Sequence, residues 1–495
     1  MKYIIGIDVG TSATKTSLFD TDGNLVASAS AEYPMYQPNN GWAEEDPDDF
    51  WDAACETLKK ICGGCDGEIV GIGLSGQMHS LVMLDENDKV IRRAILWCDQ
   101  RTGEQCDRLT EVLGADRLAA LSGNTAMPAF TASKLMWVKD NEPENFARCK
   151  HIMLAKDYIR FKLTGEYATD VSDASGMQLM DIHTREWSEE LCSAVGIDMS
   201  VLPKLYESCA VSGRVTDEAA ALTGLAPGTP VAGGAGDNAA AAIGTGVCSE
   251  GAAFTTIGTS GVVFAPTSSP IYDTLGRFNC FCDANGSWHV LGITQSAGLS
   301  MNWFRNNLST EKNYRAIDEG AAGVQIGSGG LVYLPYLMGE RTPILNPDAR
   351  GVFFGLSASH TNSHLARAVM EGVSFSLKSC LDAICERGIS IDRMALCGGG
   401  AKSALWQKMI ADIYGLPIEI MLSAESASLG AAILGGCAGG VYSSVEEGCR
   451  RCVGKSSVID ADPTATETYA KYYGIYKQLY PILKGSFTDL KNITK

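Results

Sequence analysis

Two short turns rich in Gly, Thr and Ser are the first feature of this sequence with chemical meaning. Gly10-Thr-Ser12 lies between two apolar segments of β type, and Gly258-Thr-Ser-Gly261 repeats the arrangement later in the chain. Such turns present backbone N–H groups and hydroxyls to phosphate oxygens. Asp8 directly precedes the first turn, where a carboxylate can hold Mg²⁺ directly or through water. The two turns together predict phosphoryl-transfer chemistry, although one alone is also typical of an ordinary hairpin.

A third glycine-rich segment, Gly398-Gly-Gly400, is placed where a nucleotide could bind. It follows a strand pattern and precedes a helical one, so that helix N-terminal N–H groups would face a phosphate. Lys402-Ser403 is similar to the end of a Walker loop, but the glycine-to-lysine spacing of that motif is absent. Taken by itself, a turn that lets a helix and a strand pack closely explains this segment equally well.

Asp237 is the candidate general base. It follows Gly233-Gly-Ala-Gly236 and precedes a run of helix-forming residues. A carboxylate within hydrogen-bond reach can accept the proton that a hydroxyl loses as it attacks the γ-phosphorus. The helix N-terminus is expected to lower the pKa of Asp237 and keep it ionised at neutral pH. The alternative is a plain helix N-cap that contributes about 1 kcal/mol.

The elements that must position these residues follow from hydrophobic periodicity. Around the two turns, the predicted strands form two similar hairpins and cover 3–9, 14–19, 254–257 and 262–264. Other short strands are predicted at 69–74, 95–97, 331–336 and 394–397. The predicted helices cover 46–61, 131–139, 237–243, 362–387, 403–414 and 428–440. This alternation indicates α/β layers in which the same β-hairpin arrangement occurs twice. A domain boundary is predicted near residue 245.

Two Cys-x-x-Cys pairs, Cys62/Cys65 and Cys449/Cys452, raise the alternative of a four-thiolate zinc site. The pairs lie near opposite ends of the chain and lack the short separation of zinc ribbons. The seventeen cysteines are scattered and odd in number, and residues 1–8 are typical of a strand rather than a signal peptide. The sequence therefore favours reduced thiols and a cytoplasmic protein.

Composition excludes several classes of partner. The chain has 495 residues and 45% hydrophobic content, enough for two or three domains with substantial cores. Its formal charge of -18 gives a surface that repels nucleic acids and anionic membranes. We therefore expect small-molecule partners, with no nucleic acid and no membrane. The sequence leaves the oligomeric state open, a homodimer included.

Eight motifs, taken in order and spacing, resemble the FGGY carbohydrate kinases. They are Asp8-Val-Gly-Thr-Ser12, Gly76-Gln-Met-His79, Trp97-Cys-Asp-Gln-Arg101, Gly236-Asp-Asn238, Gly258-Thr-Ser-Gly261, Gly339-Glu-Arg-Thr-Pro343, Ala349-Arg-Gly-Val-Phe-Phe-Gly355 and Gly398-Gly-Gly-Ala-Lys-Ser403. The resemblance covers nearly all of the chain. It implies an actin-like (ribonuclease H-like) duplicated α/β fold of two domains around a central cleft. Residues 1–245 would carry the sugar site, the first phosphate turn and the base, and residues 246–495 the nucleotide site.

The resemblance also implies roles for individual residues. The sugar would contact Met78, His79, Asp237 and Asn238. Asp237 and Asp8 would be the catalytic carboxylates, and Asp8 would bind Mg²⁺, directly or through water. The residues expected at the nucleotide and its phosphates are Thr11, Ser12, Gly258, Thr259, Gly399 and Ser403. ATP and Mg²⁺ are therefore the expected cosubstrate and cofactor.

Within the family, Gln77-Met-His79 followed by Gly236-Asp-Asn238 is most similar to the xylulokinase branch. That branch implies ATP-dependent conversion of D-xylulose to D-xylulose 5-phosphate. Ser80 stands where a glycine is usual, and the tryptophan motif carries Cys98 and Gln100, so the exact sugar is less firmly predicted than the chemistry. The alternatives are a sister kinase for ribulose, fuculose, gluconate or glycerol, or an actin-like ATP-binding protein without enzymatic activity.

The tryptophan motif itself supports two interpretations. Trp97, Asp99 and Arg101 could support the pocket through an ion pair, or they could contact the sugar directly. The sequence does not separate these two roles.

Overall fold

The computed structural model describes residues 1–423 and 425–493. The strands of these residues are β1 Lys2–Val9, β2 Ala13–Asp20, β3 Leu25–Glu32, β4 Glu44–Glu45, β5 Glu68–Gly76, β6 Val82–Leu84, β7 Ala94–Ile95, β8 His151–Met153, β9 Ala168–Asp170, β10 Met180–Asp181, β11 Glu186–Trp187, β12 Lys204–Tyr206, β13 Val211–Arg214, β14 Pro230–Ala232, β15 Ala235–Gly236, β16 Gly251–Ile257, β17 Gly261–Thr267, β18 Asn279–Cys282, β19 Trp288–Thr294, β20 Val332–Leu334, β21 Val352–Phe354, β22 Ile391–Cys397, β23 Ile418–Met421 and β24 Lys455–Ile459.

The α-helices of the same residues connect and cover these strands. They are α1 Pro47–Gly63, α2 Gly103–Leu113, α3 Ala115–Ser122, α4 Thr131–Asn141, α5 Pro143–Arg148, α6 Ala155–Thr164, α7 Val171–Ala174, α8 Glu189–Val195, α9 Asp217–Thr223, α10 Asp237–Gly244, α11 Gly298–Asn307, α12 Tyr314–Ala322, α13 Asn362–Cys385, α14 Ala404–Tyr414, α15 Ser426–Ala438, α16 Val445–Cys452 and α17 Pro463–Ile493. None of these helices is long and apolar enough to span a lipid bilayer.

Two large mixed sheets repeat one plan. In the first, the strand order is β13-β14-β5-β1-β2-β3, with β15 also pairing with β5. In the second, the order is β18-β19-β17-β16-β22-β23-β24. Each sheet has a central antiparallel hairpin, β1–β2 or β16–β17, whose first strand pairs in parallel with a later strand, β5 or β22. The repeated hairpin predicted from the sequence is therefore present, with its turns at residues 10–12 and 258–260.

Most predicted elements are close to the observed ones. The helix predicted at 362–387 is α13, which ends at Cys385, and the Ala/Gly-rich segment 428–440 is the buried helix α15. The strand predicted at 95–97 is shorter, because β7 pairs with β4 over Ala94–Ile95 only. Trp97 instead lies in the following turn, where its indole N–H can reach another segment.

Helix α15 lies in sequence between β23 and β24 of the second sheet but packs on the first sheet. A Cβ atom at Gly6 of β1 would lie 1.9 Å from the carbonyl oxygen of Ser428, and one at Gly73 of β5 would lie 1.8 Å from that of Ala431. The helix backbone thus lies directly on the two strands, at a distance that only glycine permits. Helix α10, which begins at Asp237, packs against the same helix.

Candidate active site

The first glycine turn follows the carboxyl end of β1 and is held by its neighbours. The Gly10 carbonyl accepts hydrogen bonds from the Tyr33 hydroxyl and from Gln77 Nε2, the latter at 3.5 Å. The Thr11 hydroxyl accepts a hydrogen bond of 3.1 Å from the indole of Trp97. Ser12 is exposed. The turn is therefore fixed from behind, while part of it faces solvent.

Asp8 and Asp237 lie on either side of the end of β5. Asp8 of β1 is in register with Ser75, and Gly236 of β15 is in register with Gly76. Because β1 and β15 both run parallel to β5, the carboxyl ends of the three strands meet at one edge of the sheet. The two acids are close enough for the charge of Asp8 to raise the pKa of Asp237. The structure thus brings together the two predicted catalytic residues.

The pKa expected for Asp237 was wrong in direction. Burial, and then the charge of Asp8, raises the pKa of Asp237 to about 7. The N-cap of α10 is Gly236, so Asp237 is the first helical residue, and its carboxylate accepts hydrogen bonds from the Asn238 backbone (2.7 Å) and side chain (2.8 Å). These bonds lower the pKa, but desolvation and the second carboxylate outweigh them. Burial also raises the pKa of Asp8.

The predicted sugar residues Met78 and His79 adjoin Asp237. A Cβ atom at Gly236 would lie 2.9 Å from Met78 Cγ, and one at Gly176 would lie 2.5 Å from the His79 ring. His79 Nδ1 is 2.8 Å from the Gly176 carbonyl and must donate to it. Burial, with the charges of Lys134 and Arg341, lowers the pKa of His79 to about 3. The ring is therefore neutral, and its Nε2 is a hydrogen-bond acceptor.

Lys134 holds the backbone of His79 in an unusual conformation. His79 has a φ of 69°, in the left-handed region. Lys134 Nζ donates to the His79 carbonyl at 2.7 Å and to the Ala129 carbonyl at 2.6 Å, and the Thr131 hydroxyl also donates to the His79 carbonyl. Burial lowers the pKa of Lys134 to about 7. No sequence signal indicated this role, because Lys134 is simply one position of a predicted helix.

A network of buried charges lies behind the loop that leads to Asp237. Lys156 Nζ contacts Asp157 at 2.7 Å, Asp170 at 2.8 Å and Asp173 at 3.1 Å. The Ser172 hydroxyl donates to Asp170 and accepts a 3.3 Å bond from the Gly236 N–H. The network therefore connects to the backbone directly before Asp237. Sequence reasoning missed it, since these residues are distributed over α6, β9 and α7.

The second glycine turn borders a cavity of about 940 Å³ in the second half of the chain. Four of the predicted nucleotide residues line this cavity: Gly258, Thr259, Gly399 and Ser403. The turn is fixed to the start of α11, where the N–H groups of Gly298 and Leu299 donate to the carbonyls of residues 258 and 259 at 2.7 and 3.1 Å. Ser403 is the N-cap of α14 and accepts from the Trp406 N–H. Thr11 and Ser12 are not among the residues of this cavity.

The tryptophan motif forms a buried support. Arg101 Nη2 lies 2.7 Å from Asp99, and both side chains are at most 1% exposed. The Arg101 guanidinium lies 3.7 Å from the centre of the Trp42 ring, and the Asp99 carboxylate accepts from the Ala43 N–H. The ion pair that the sequence suggested is thus present, and Trp97 acts on the first turn through Thr11.

The two Cys-x-x-Cys pairs do not come together. Cys449 Sγ lies 3.1 Å from Cys248 Sγ, and Cys452 contacts the Tyr442 hydroxyl. Cys62 and Cys65 line a different cavity, near Gly67. In the part of the chain that the structure describes, no group of three or more His, Cys, Asp or Glu side chains is arranged to hold a metal ion.

A duplicated α/β fold with paired carboxylates and glycine turns defines the class of protein as a phosphotransferase of the actin-like kind. Comparison with known families narrows this class to one family. The N-terminal domain of the FGGY family of carbohydrate kinases matches residues 3–244, and the C-terminal domain matches residues 253–439. The chain belongs to the FGGY family of carbohydrate kinases, and the predicted family is confirmed. Membership implies ATP as a substrate.

Relatives match over their full length. A xylulose kinase of Bacillus subtilis is 37% identical over 499 residues, covering 100% of both chains. A xylulose kinase of Lactococcus lactis is 38% identical over 487 residues, covering 97% of each chain. A gluconokinase of Bacillus licheniformis is 31% identical over 503 residues, covering 99% of this chain and 98% of the relative.

Solved structures agree with the fold. A ligand-bound xylulose kinase from Lactobacillus acidophilus superimposes with a TM-score of 0.95 at 30% identity, covering 99% of this chain and 100% of that chain. A xylulose kinase from Rhodospirillum rubrum gives a TM-score of 0.92 at 30% identity, covering 98% of this chain and 100% of that chain. The predicted actin-like, duplicated two-domain fold with a central cleft is confirmed.

Proposed function

We propose that this chain transfers the γ-phosphoryl group of ATP to O5 of D-xylulose, giving D-xylulose 5-phosphate and ADP. The observation that carries the proposal is the placement of the Asp8 and Asp237 pair beside Met78 and His79 at one edge of the first sheet. Full-length similarity to several xylulose kinases supports the choice of sugar. We also propose that residues 1–245 supply the sugar site and the base, and residues 246–495 the nucleotide site.

Asp237 is the proposed general base. With a pKa of about 7 it is partly ionised at neutral pH, and it can take the O5 proton as the bond to phosphorus forms. Asn238 holds one carboxylate oxygen through two hydrogen bonds, so the other oxygen is oriented for the substrate hydroxyl. Met78 provides an apolar wall against the sugar carbons, and the acceptor Nε2 of His79 takes a hydrogen bond from a sugar hydroxyl.

The nucleotide is proposed to occupy the cavity beside the second glycine turn. Gly258, Thr259 and Gly399 bring the backbone close to the phosphates, and the N-terminus of α14 at Ser403 faces the same space. Thr11 and Ser12, at the opposite turn, are proposed to contact the transferred phosphoryl group.

The residues present fit Mg²⁺ as the cofactor. Asp8 and Asp237 are two half-buried carboxylates with raised pKa values, and Lys15, whose charge acts on Asp8, forms its ion pair with Glu425 instead. Mg²⁺ typically binds through one or two carboxylates plus substrate phosphates and water, so few protein ligands are needed. Asp8, directly or through water, would hold the ion. Bound Mg²⁺ would neutralise charge on the phosphates during transfer.

The proposal is tested by measuring sugar-dependent ADP release with D-xylulose, D-ribulose, L-fuculose, D-gluconate and glycerol. We expect the highest kcat/KM with D-xylulose and a 5-phosphate product by ³¹P NMR. Asp237→Asn should lower kcat by about 10²- to 10⁴-fold, as expected for loss of a general base. Asp217→Asn is the matched control, because Asp217 is likewise the first residue of a helix but is exposed on α9. A preference for another sugar, or equal activity of the two variants, would contradict the proposal.

A further inference from the structure

Arg341 has no carboxylate partner for its guanidinium among the described residues. The side-chain contacts of the guanidinium are made by Nη2, to Asn279 Oδ1 at 3.3 Å and to Met127 Sδ at 3.4 Å. The neighbouring Glu340 carboxylate is occupied by other donors: the Thr294 and Ser376 hydroxyls and the N–H groups of Gln295 and Arg341. A partly buried guanidinium is normally paired with an anion, so its lack of a partner here suggests that a ligand completes the site.

The backbone on both sides of Arg341 is fixed. Glu340 is held by the four donors named above, and Thr342 exchanges two hydrogen bonds with Ile293 of β19, of 2.9 and 3.0 Å. At the far end of the side chain, Asn279 donates to Asn124 Oδ1 at 2.9 Å, which turns its own Oδ1 towards Arg341. The guanidinium is thus held at both ends, as expected of a binding residue.

Arg341 lies near His79, and the residues that Arg341 contacts are close in sequence to the two aromatic rings that pack against His79. The His79 ring packs against Phe130 at 5.0 Å and Phe281 at 5.8 Å between ring centres. Phe281 lies two residues after Asn279 on β18, and Met127 lies three residues before Phe130. Arg341 is close enough for its charge to contribute to the lowered pKa of His79. Arg341, from the second half of the chain, therefore adjoins the sugar residues of the first half.

The chemistry of the proposed substrate calls for such a donor. In the furanose form of D-xylulose, O5 is the ring oxygen, so only the open-chain form has a free O5 hydroxyl for phosphorylation. The open chain carries a ketone at C2, whose oxygen only accepts hydrogen bonds. His79 offers an acceptor at Nε2 and cannot serve the ketone, whereas a guanidinium offers donors only.

We propose that Arg341 donates hydrogen bonds to the C2 ketone oxygen of the open-chain sugar and thereby selects ketoses over polyols. This inference rests on the proposed function, since it assumes a ketose with its reacting hydroxyl at Asp237. It makes the second half of the chain, which holds the nucleotide, also a contributor to sugar specificity.

The test compares Arg341→Met with the unchanged enzyme, using D-xylulose and xylitol, which has a hydroxyl in place of the ketone. We expect the KM for D-xylulose to rise by about 10- to 150-fold, as for loss of a hydrogen bond from a charged donor. The inhibition constant of xylitol should rise by a smaller factor, because its tetrahedral C2 hydroxyl can accept a hydrogen bond but lacks the planar ketone oxygen that the guanidinium is proposed to hold. The KM for ATP should change less than about threefold, because ATP does not contact the C2 oxygen. Arg341→Lys keeps the charge but loses the paired N–H donors of the guanidinium, so its KM for D-xylulose should lie between those of the unchanged enzyme and Arg341→Met. Arg117→Met, at an exposed ion pair with Glu190, is the matched control.

Thermal unfolding separates this role from a structural one. Burial lowers the pKa of Arg341 to about 10, so folding around the charged side chain is costly. Removing the charge in Arg341→Met should leave Tm unchanged or raise it. A lower Tm, or equal losses for D-xylulose and xylitol, would overturn the inference while leaving the proposed function intact.

A binding measurement distinguishes failure of this inference from failure of the proposed function. If the unchanged enzyme releases no ADP with D-xylulose, the proposed function fails. The thermal shift that D-xylulose alone produces, compared between the unchanged enzyme and Arg341→Met, then still tests the inference. A shift lost only in the variant supports the ketone contact, and an equal shift in both, or none in either, overturns it.

Discussion

The position of Asp237 next to Asp8 conflicts with its proposed role as a general base. A general base must be ionised to accept a proton, yet burial and the neighbouring negative charge both favour the protonated form of Asp237. The compromise is a pKa of about 7, at which a carboxylate is a stronger base than an ordinary aspartate. A bound cation between the acids would shift Asp237 towards its ionised form.

The raised pKa of Asp237 predicts a loss of activity at low pH. Only the ionised form of Asp237 can accept the O5 proton, so activity is retained above its pKa and lost as pH falls through it. We expect kcat/KM for MgATP, at saturating D-xylulose, to fall about tenfold per pH unit below about 7. Measurement of initial rates across the range from about pH 5.5 to about 8.5, at constant ionic strength, provides the check.

Lys134 requires a control in that experiment, because its pKa is also lowered to about 7. Lys134 gains its proton in the same pH range as Asp237, so the profile of the unchanged enzyme alone does not separate the two groups. Because the acid limb is assigned to Asp237, Lys134→Met should keep it, whatever its effect on KM for the sugar. Loss of the acid limb in Lys134→Met would assign it to Lys134 instead. A profile that stays flat between about pH 5.5 and 8 in the unchanged enzyme would exclude Asp237 as the base.

At the scale of secondary structure, the contact between α10 and α15 positions the base. A Cβ atom at Gly430 of α15 would lie 1.8 Å from the carbonyl oxygen of Ala240, and one at Gly244 of α10 would lie 1.9 Å from that of Ser426. Each helix thus needs a glycine where the other crosses it. Since Asp237 is the first residue of α10, a shift of this helix moves the carboxylate.

Gly430→Ala should therefore lower both stability and activity. Overpacking at this contact is expected to reduce the free energy of unfolding by about 1–3 kcal/mol. The loss is measured as a lower urea midpoint at unchanged m-value. Gly474→Ala is the control, because a Cβ atom added at Gly474 of α17 would have no described heavy atom within 4 Å apart from its chain neighbours and the adjacent backbone of its own helix. Alanine there should add about 0.5–1 kcal/mol to the free energy of unfolding. Equal effects of the two substitutions would argue against a tight contact.

Elements were easier to predict than the environment of their residues. Hydrophobic periodicity and turn residues located both hairpins and the long helix α13, since these signals are local. The direction of the pKa shift at Asp237 depends on burial and on Asp8, far earlier in the chain, and the local sequence around Asp237 shows only a helix start. The contact of Lys134 with the His79 backbone and the absence of a carboxylate partner for the Arg341 guanidinium among the described residues were missed for the same reason, because the surroundings of a charge are set by tertiary packing.

At the scale of the whole molecule, the two halves of the sequence are not two separate packing units. One apolar cluster contains Ile4, Phe19 and Ile243 from the first half together with Leu429 and Ile433 of α15. The face of β1 and β5 that carries Gly6 and Gly73 is covered by the backbone of α15. The first sheet therefore depends on residues far beyond the boundary near residue 245.

This dependence predicts the behaviour of fragments. A fragment of residues 1–245 lacks α15, so the glycine face and its apolar neighbours would be exposed to water, and we expect it to unfold without a cooperative transition or to aggregate. Coexpression with residues 246–495 should restore a soluble complex with sugar-dependent ADP release, because α15 can then dock on β1 and β5. Near-UV circular dichroism during heating and the ADP assay provide the two measurements. The complementing fragment carrying Gly430→Ala is the internal control, since it should restore less activity than the unchanged fragment. Cooperative unfolding of residues 1–245 alone would show that the first sheet is stable without α15.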